Sequence, residues 1–467
     1  MKHQFDIAII GGGTSGMSAY KAAVAHTPSV AIIEGGSFGT TCAKVGCMPS
    51  KLLIAAADAA AAVRRAPAFG IYSDQPIVDG QAVMKRVRDE RDRFVGFVLE
   101  SVDSWPAEHR FGSKARFIDP YTIALDNGDT IVAKRFVIAT GSSAVVLPDW
   151  KKELGDRLLV SDDVFSWTDL PKSVAVVGAG ILGLEIAQAL HRLGVRVRLI
   201  GKGRKVRPLT SPALQAETLK VFTTEMPLSA DAQNLAVSRQ ADKVVVNWIE
   251  QGAPKEESFD YLLACIGRNP NLSAINLQAA GLALNDQGTI DSNAQTTQTQ
   301  VPHIFLAGDV RADKPLLHEA ADEGKIAGDN AGRYPDIRSQ PRRVGLAVVF
   351  SSPQLAIAGQ GFAELKQQGV IFATGSVSFE DQGRSRIAMQ NQGALEVYAD
   401  RHSGKFLGAE MVGAAAEHIA HLLAWSVQRG DTVDQMLEAP FYHPVIEQSV
   451  RTALKELRRA LAHQVNP

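Results

Sequence analysis

The chain has 467 residues, 45% hydrophobic and 21% charged, which is ordinary globular material sufficient for about three domains. A formal net charge of −1 argues against nucleic acid or an anionic membrane as an electrostatic partner. Three cysteines exclude a disulfide framework and fit a reducing compartment, so a cytoplasmic location is expected.

The first predicted elements start at once. Phe5-Asp6-Ile7-Ala8-Ile9-Ile10 is a β-branched apolar run, too short for a signal h-region. It enters G-x-G-x-x-G at Gly11, Gly13 and Gly16. An Ala-rich amphipathic helix is expected over 17–26 and a second strand over 30–33. This is the dinucleotide-binding βαβ pattern, in which glycines permit the tight turn and let a pyrophosphate approach the helix N-terminus. Glu34 stands 23 residues past Gly11, a carboxylate suited to accept hydrogen bonds from an adenosine ribose. An unphosphorylated adenosine, as in FAD, is expected there.

Two of the three cysteines follow, Cys42 and Cys47. On a regular helix their Cα atoms would lie ~8–9 Å apart. That exceeds the ~7 Å that a bridge tolerates without backbone movement. Either the thiols are unrelated or the backbone bends to join them. The Ala-rich run over 52–63 contains Asp58 and reads as too short to span a bilayer, so no membrane partner is expected.

At an offset of 167 residues the first pattern returns, with Lys172-Ser173-Val174-Ala175-Val176-Val177 leading to Gly178, Gly180 and Gly183. A helix is expected over 184–193 and a strand over 195–200. Here the position 23 past the first glycine is Gly201, followed by Lys202, Gly203, Arg204, Lys205 and Arg207. A missing carboxylate beside cations suits a 2′-phosphate, so a nicotinamide cofactor is expected with a lean to NADP(H). The alternative is a solvated basic loop indifferent to the phosphate. Beyond Arg338-Ser339-Gln340-Pro341-Arg342-Arg343, which reads as a linker, strands are expected near 344–350, 370–379, 394–399 and 406–412. Helices are expected over 414–429 and 445–462, and this order suggests an α+β module.

With two nucleotide folds and a C-x4-C-x-P-S-K element just past the first, the chain resembles the flavin-dependent pyridine nucleotide–disulfide oxidoreductases. Further signatures stand in order: Ala139-Thr140-Gly141-Ser142, Cys265-Ile266-Gly267-Arg268-Asn269-Pro270-Asn271, Ile304-Phe305-Leu306-Ala307-Gly308-Asp309 and Tyr442-His443-Pro444. The resemblance covers nearly the whole chain. It implies an α/β fold of two Rossmann-like dinucleotide-binding domains plus a C-terminal α+β dimerisation domain. The implied parts are a flavin domain over 1–145, a nicotinamide domain over 146–269, a central segment over 270–340 completing the flavin site, and the dimerisation domain over 344–467. FAD would be held by Gly11, Gly13, Gly16, Glu34, Thr41, Lys51, Thr140, Gly141 and Asp309. NAD(P) would be held by Gly178, Gly180, Gly183, Lys202, Arg204 and Gly267.

By the same resemblance, Cys42 and Cys47 form a redox disulfide, held close by a helix start that Gly46 and Pro49 distort. Cys42 would be the interchange thiol and Cys47 the thiol beside the flavin. Cys265 reads as inert core. Lys51 would lie near the flavin ring, paired with Glu185 because an unpaired buried charge is very costly. Among eleven histidines, His443 would be the acid–base residue, reaching the other protomer's Cys42 in a homodimer.

Three departures from the family pattern stand out. A glutamate is usual five residues after the histidine, but position 448 is Gln448, with Glu447 one place earlier. A glutamine oxygen fixes the imidazole tautomer yet gives no charge; a one-residue helix slip would instead bring Glu447 into place. Thr40 replaces a common glycine, and Ser351-Ser352-Pro353-Gln354 replaces a Thr-x-Pro-Glu run. The tail from Leu457 to Pro467 carries no second cysteine pair, which favours a small dithiol or disulfide substrate, lipoamide-like. A dihydrolipoamide-dehydrogenase-like activity is expected, with a 2-oxoacid dehydrogenase complex as a possible partner. The alternatives are an NADPH-dependent glutathione-reductase-like enzyme and a catalytically degraded flavoprotein dimer with a structural or sensing role.

Overall fold

The structure, a computed structural model, describes residues 1–462; the end of the expected C-terminal tail, 463–467, lies outside the described residues. The chain divides into two compact units, each built from three stretches of sequence.

One unit comprises Met1–Pro49, Lys85–Val145 and Gly267–Arg342. Its central strand, Lys2–Ile10, pairs parallel with Val30–Glu34 on one side and Thr130–Ile138 on the other. Ile304–Leu306 adds a further parallel strand beside Thr130–Ile138. Side chains alternate along the central strand as the pleat dictates. Ile7 and Ile9 pack with Ala19, Tyr20 and Ala23 of the helix Thr14–Ala23 and with Ala327 and Ala331 of the helix Leu317–Arg333. Ala8 and Ile10 face the opposite side, against Phe117, Phe136 and Ile304. The two helices touch backbone to backbone. A Cβ on Gly324 would stand 2.1 Å from Ser15 O, and one on Gly328 would stand 2.1 Å from Ala19 O.

The second unit comprises Ser50–Met84, Val146–Ile266 and the chain from Arg343 onward. A parallel five-stranded sheet runs in the order Leu228–Ser229, Arg196–Ile200, Ser173–Val177, Tyr261–Ala264, Leu158–Val160. An antiparallel five-stranded sheet follows, ordered Leu346–Val349, Gln354–Gly359, Phe406–Gly413, Ala394–Asp400, Phe372–Ser378. The helices Ala416–Arg429 and Gln448–Ala462 pack on it through Ile419, Leu423, Ala453, Leu454 and Leu457. Glu410, fully buried on Phe406–Gly413, accepts from Thr210 N, the Thr210 hydroxyl, Ser211 N and Phe362 N. Those donors open the helices Pro212–Glu225 and Phe362–Gln367, whose N-termini favour a carboxylate.

Several expectations need correction. The strand expected near 344–350 is present as Leu346–Val349, but its hairpin partner Gln354–Gly359 and the helices Phe362–Gln367 and Val433–Glu438 were not expected. The helix expected from 445 begins at Gln448. The run 52–63 lies within the helix Cys47–Arg65, part of the helical stretch Thr41–Phe69 that breaks at Gly46 and contains an 18-residue window of mean hydropathy 1.3, long and apolar enough by length and composition alone to cross a membrane. Asp58 within it is ion-paired to Arg192 at 2.7 Å.

Candidate active site

The two glycine turns repeat each other in detail. Gly11 has φ 115° and Gly178 has φ 114°, a backbone region that favours glycine. A Cβ on Gly11 would stand 2.2 Å from Ala139 O; on Gly178 it would stand 2.2 Å from Cys265 O. The third glycines are equally constrained, with a Cβ 1.8 Å from Gly11 O at Gly16 and 1.9 Å from Gly178 O at Gly183. The middle glycines differ: a Cβ on Gly13 or Gly180 meets no protein atom within 4 Å. Both sit as N-caps, of the helices Thr14–Ala23 and Ile181–Arg192, where free N–H groups face outward. Each turn therefore offers what a pyrophosphate requires: close backbone, open space and a helix N-terminus.

Around the first turn, Glu34 accepts from Gly12 N at 2.7 Å and Gly36 N at 2.8 Å, which holds its carboxylate at the strand end. Thr140 and Asn271 exchange hydrogen bonds, Thr140 Oγ1 donating to Asn271 O at 2.7 Å and Asn271 Nδ2 to Thr140 O at 3.0 Å. Gly141 takes φ 68°. Asp309 accepts from the Ser142 hydroxyl at 3.0 Å, and Arg268 Nε donates to that same hydroxyl at 2.9 Å. Gly267, with φ 129°, accepts from Val145 N. Gly267, expected at the nicotinamide, belongs to this unit, and the other residues fit an FAD.

Cys42 and Cys47 belong to the same unit, and the backbone between them is broken, the bent alternative of the two that the spacing left open. The helix Thr41–Val45 ends at Gly46, whose φ −128° and ψ −118° are not helical, and a new helix, Cys47–Arg65, begins at once. A Cβ on Gly46 would press to 3.0 Å from Thr41 O and 3.2 Å from Cys42 Cα. Thr40 needs no glycine freedom, because it is the N-cap of the first helix and accepts from Ala43 N at 3.1 Å. Thr41 is the exposed first helical residue. Cys42 and Cys47 are not bridged in this structure. A hydrogen bond to Cys47, followed by burial, drives the Cys42 thiol far above its ordinary value.

In the other unit, Lys51 Nζ donates to both oxygens of Glu185, at 3.0 and 2.9 Å. Glu185 is 2% exposed, so the pair satisfies a carboxylate that burial would otherwise penalise. Around the second turn, a Cβ on Gly201 would stand 2.9 Å from Ala179 Cβ, which leaves no room there for the carboxylate of the first copy. Lys202 and Arg204 are exposed, and Gly203 N donates to Asp231 at 3.1 Å. Cys265 occupies in this turn the place of Ala139 in the first, and burial pushes its thiol up to about 12.

His443 is exposed, and its Nδ1 bonds Gln448 Oε1 at 3.0 Å. The helix slip does not occur: Gln448 is the partner, while Glu447 lines an adjacent groove with Tyr442 and Val445. With the amide oxygen accepting, Nδ1 carries the proton and Nε2 is left with its lone pair.

Sequence reasoning missed Lys44, Gln188 and Phe350. Lys44 Nζ donates to Ser37 O at 2.7 Å, tying the Gly35–Gly39 loop to the cysteine helix, and burial lowers its pKa. Phe350 N donates to Glu185 Oε1 at 2.8 Å and its ring lies 4.4 Å from Lys51 Nζ. Nothing in local sequence signals these contacts.

A family model described as pyridine nucleotide-disulphide oxidoreductase matches residues 5–324, and the dimerisation domain of the same family matches residues 346–454. The chain is 27% identical to the dihydrolipoyl dehydrogenase of Geobacillus stearothermophilus, over 94% of this chain and 93% of that one. It is 29% identical to the mercuric reductase of Bacillus cereus, over 94% of this chain and 69% of that one. LpdA from Mycobacterium tuberculosis superposes with a TM-score of 0.83 at 23% identity, covering 97% of this chain and 99% of that chain. The HOCl-induced flavoprotein disulfide reductase RclA from Escherichia coli superposes with a TM-score of 0.80 at 19% identity, covering 97% and 99%. At these identities the structural likeness shows the fold.

Proposed function

Because this chain belongs to the pyridine nucleotide-disulphide oxidoreductase family, we propose that it moves electrons between NADP(H) and a small dithiol or disulfide, with dihydrolipoamide the leading substrate. The family is FAD- and NAD(P)-dependent, and its dimerisation domain supports a homodimer. The observation that carries the reading is the Cys42–Cys47 pair, brought together across the Gly46 break in the unit that holds the FAD cradle.

FAD, when bound by Gly11, Gly13, Gly16, Glu34 and Asp309, supplies the two-electron relay between nicotinamide and sulfur. Cys42 attacks the substrate disulfide as thiolate and one substrate sulfur leaves as thiolate. Cys47 then attacks the mixed disulfide, releasing the second substrate sulfur and closing the Cys42–Cys47 bond. His443 Nε2 takes the proton from the attacking thiol and returns it to the leaving one, while Gln448 holds the ring in the required tautomer. Lys51 and Glu185 orient the nicotinamide side of the exchange. A reducing, cytoplasmic setting and a 2-oxoacid dehydrogenase complex as partner belong to the same proposal.

The lean to NADP(H) rests on Gly201, crowded by Ala179, and on the exposed Lys202 and Arg204. The test is an anaerobic substrate panel of lipoamide and glutathione disulfide, each with NADPH and NADH. Turnover of lipoamide with NADPH is expected. A tenfold or greater preference for NADH sinks the cofactor assignment, and preferred turnover of glutathione disulfide replaces the substrate. Turnover of neither returns the chain to a structural or sensing role.

A further inference from the structure

The helix Ile181–Arg192 presents Glu185, Gln188 and Arg192 at spacings of three and four residues, one stripe along its surface. All three grip a single loop, residues 350–353, between the strands Leu346–Val349 and Gln354–Gly359. Glu185 takes the Phe350 N–H. Gln188 Oε1 accepts from Ser352 N at 2.8 Å, and Gln188 Nε2 donates back to Ser352 O at 2.8 Å. Arg192 Nη2 donates to the same Ser352 oxygen at 3.0 Å. The Gln188 amide cannot turn away, because Nε2 also donates to Glu225 at 2.7 Å and the side chain is 3% exposed. Two residues before the clamped serine, the Phe350 amide and ring bear on the Lys51–Glu185 pair.

We infer that Gln188 is a positioning residue for Lys51 and Glu185. By clamping the Ser352 peptide from both sides it fixes where the Phe350 N–H meets Glu185 Oε1 and where the Phe350 ring meets the Lys51 ammonium. The inference rests on the reading of Lys51 and Glu185 as the nicotinamide-side pair. It also extends that reading. The loop belongs to the C-terminal module, the one that carries His443, so this module serves the hydride half of the cycle as well as the dithiol half. The same clamp gives the Ser351-Ser352-Pro353 run a role that needs only main-chain atoms at Ser352, so the side chain at that position is free to vary.

The variant Gln188→Leu keeps the bulk of the side chain and removes both of its bonds to Ser352. In the apoprotein, hydrogen exchange at the Phe350 amide is expected to quicken about tenfold, with faster acylation of Lys51 by acetic anhydride read by mass spectrometry. In the flavin-loaded protein, flavin reduction by NADPH is expected to slow about tenfold, while reoxidation by the disulfide substrate keeps its rate. Wild-type exchange at Phe350 together with wild-type labelling of Lys51 overturns the inference. So does a loss confined to the disulfide half. If Gln188→Leu does not fold, Phe350→Leu poses the question from the other end: it keeps the amide bond, removes the ring, and must raise Lys51 labelling. No rise refutes the coupling. A chain that binds no flavin would refute the proposed function and leave the apoprotein result standing.

Discussion

A hydrogen bond from His443 Nδ1 to the neutral oxygen of Gln448 fixes the ring without charging it. A carboxylate at that place would add an electrostatic preference for imidazolium. Gln448→Leu removes the acceptor and is expected to slow dithiol oxidation about tenfold while flavin reduction by the nicotinamide keeps its rate. An unchanged rate shows that position 448 does not govern the histidine. Cys265 offers a titration at this scale. Burial, then the Asp162 carboxylate, raise its thiol to about 12, against about 8.5 for an unfolded thiol. The folded chain thus keeps a proton that the unfolded chain sheds. The stabilisation is complete below pH about 8.5 and declines above it, by up to about 1.4 kcal/mol per pH unit, until pH passes 12. Between pH 9 and 10, the wild type should lose about 1 kcal/mol of unfolding free energy relative to Cys265→Ala, measured with urea. A difference that does not change with pH rules out the raised thiol value.

Gly46 is where an element boundary becomes chemistry. Its added Cβ would press on Thr41 O and Cys42 Cα, backbone atoms that have no rotamer to swing aside. Gly46→Ala is expected to cost about 1–2 kcal/mol of stability and to lower the equilibrium constant for closing the Cys42–Cys47 disulfide about tenfold in a glutathione redox buffer. If the disulfide closes as readily as before, the helix break is not what brings the sulfurs together. The spacing alone left unrelated thiols and a bent backbone both open, and the family resemblance of the C-x4-C-x-P-S-K element implied the bend. The glycine turns were legible locally: each of Gly11, Gly16, Gly178 and Gly183 is forced by contacts within its own motif or by the strand end beside it. The hairpin strand Gln354–Gly359 was not, since Ser-Ser-Pro reads as a terminator and a short apolar run after it has no decisive period. The helix Val433–Glu438 did carry a signal, the Thr432–Gln435 capping box, but spans only six residues. Least legible were Gln188, Phe350 and Glu410. Their partners lie 164, 165 and 200 residues away in sequence, so only the folded chain reveals them.

At the scale of the molecule, the C-terminal module leaves a groove of about 710 Å³ lined by Leu422, Trp425, Met436, Phe441, Tyr442 and Val450. Trp425 is 57% exposed and Tyr442 80%, an unusual display of large apolar side chains directly before His443. The family's dimerisation domain matches residues 346–454, a range that includes this groove and His443. A two-fold interface brings the same surface of both protomers together, and the family resemblance implies that each protomer's His443 serves the other's Cys42. Mixing two inactive variants decides whether it does. A Cys42→Ser protomer retains a good histidine, and a His443→Gln protomer retains a good dithiol. If the site is shared across protomers, every hybrid contains one intact site and one doubly broken site. Random reassortment makes half of the dimers hybrids, so about a quarter of wild-type lipoamide turnover should reappear on mixing denatured and refolded variants. If both residues act within one protomer, each hybrid site keeps one lesion and the mixture stays as inactive as its parents.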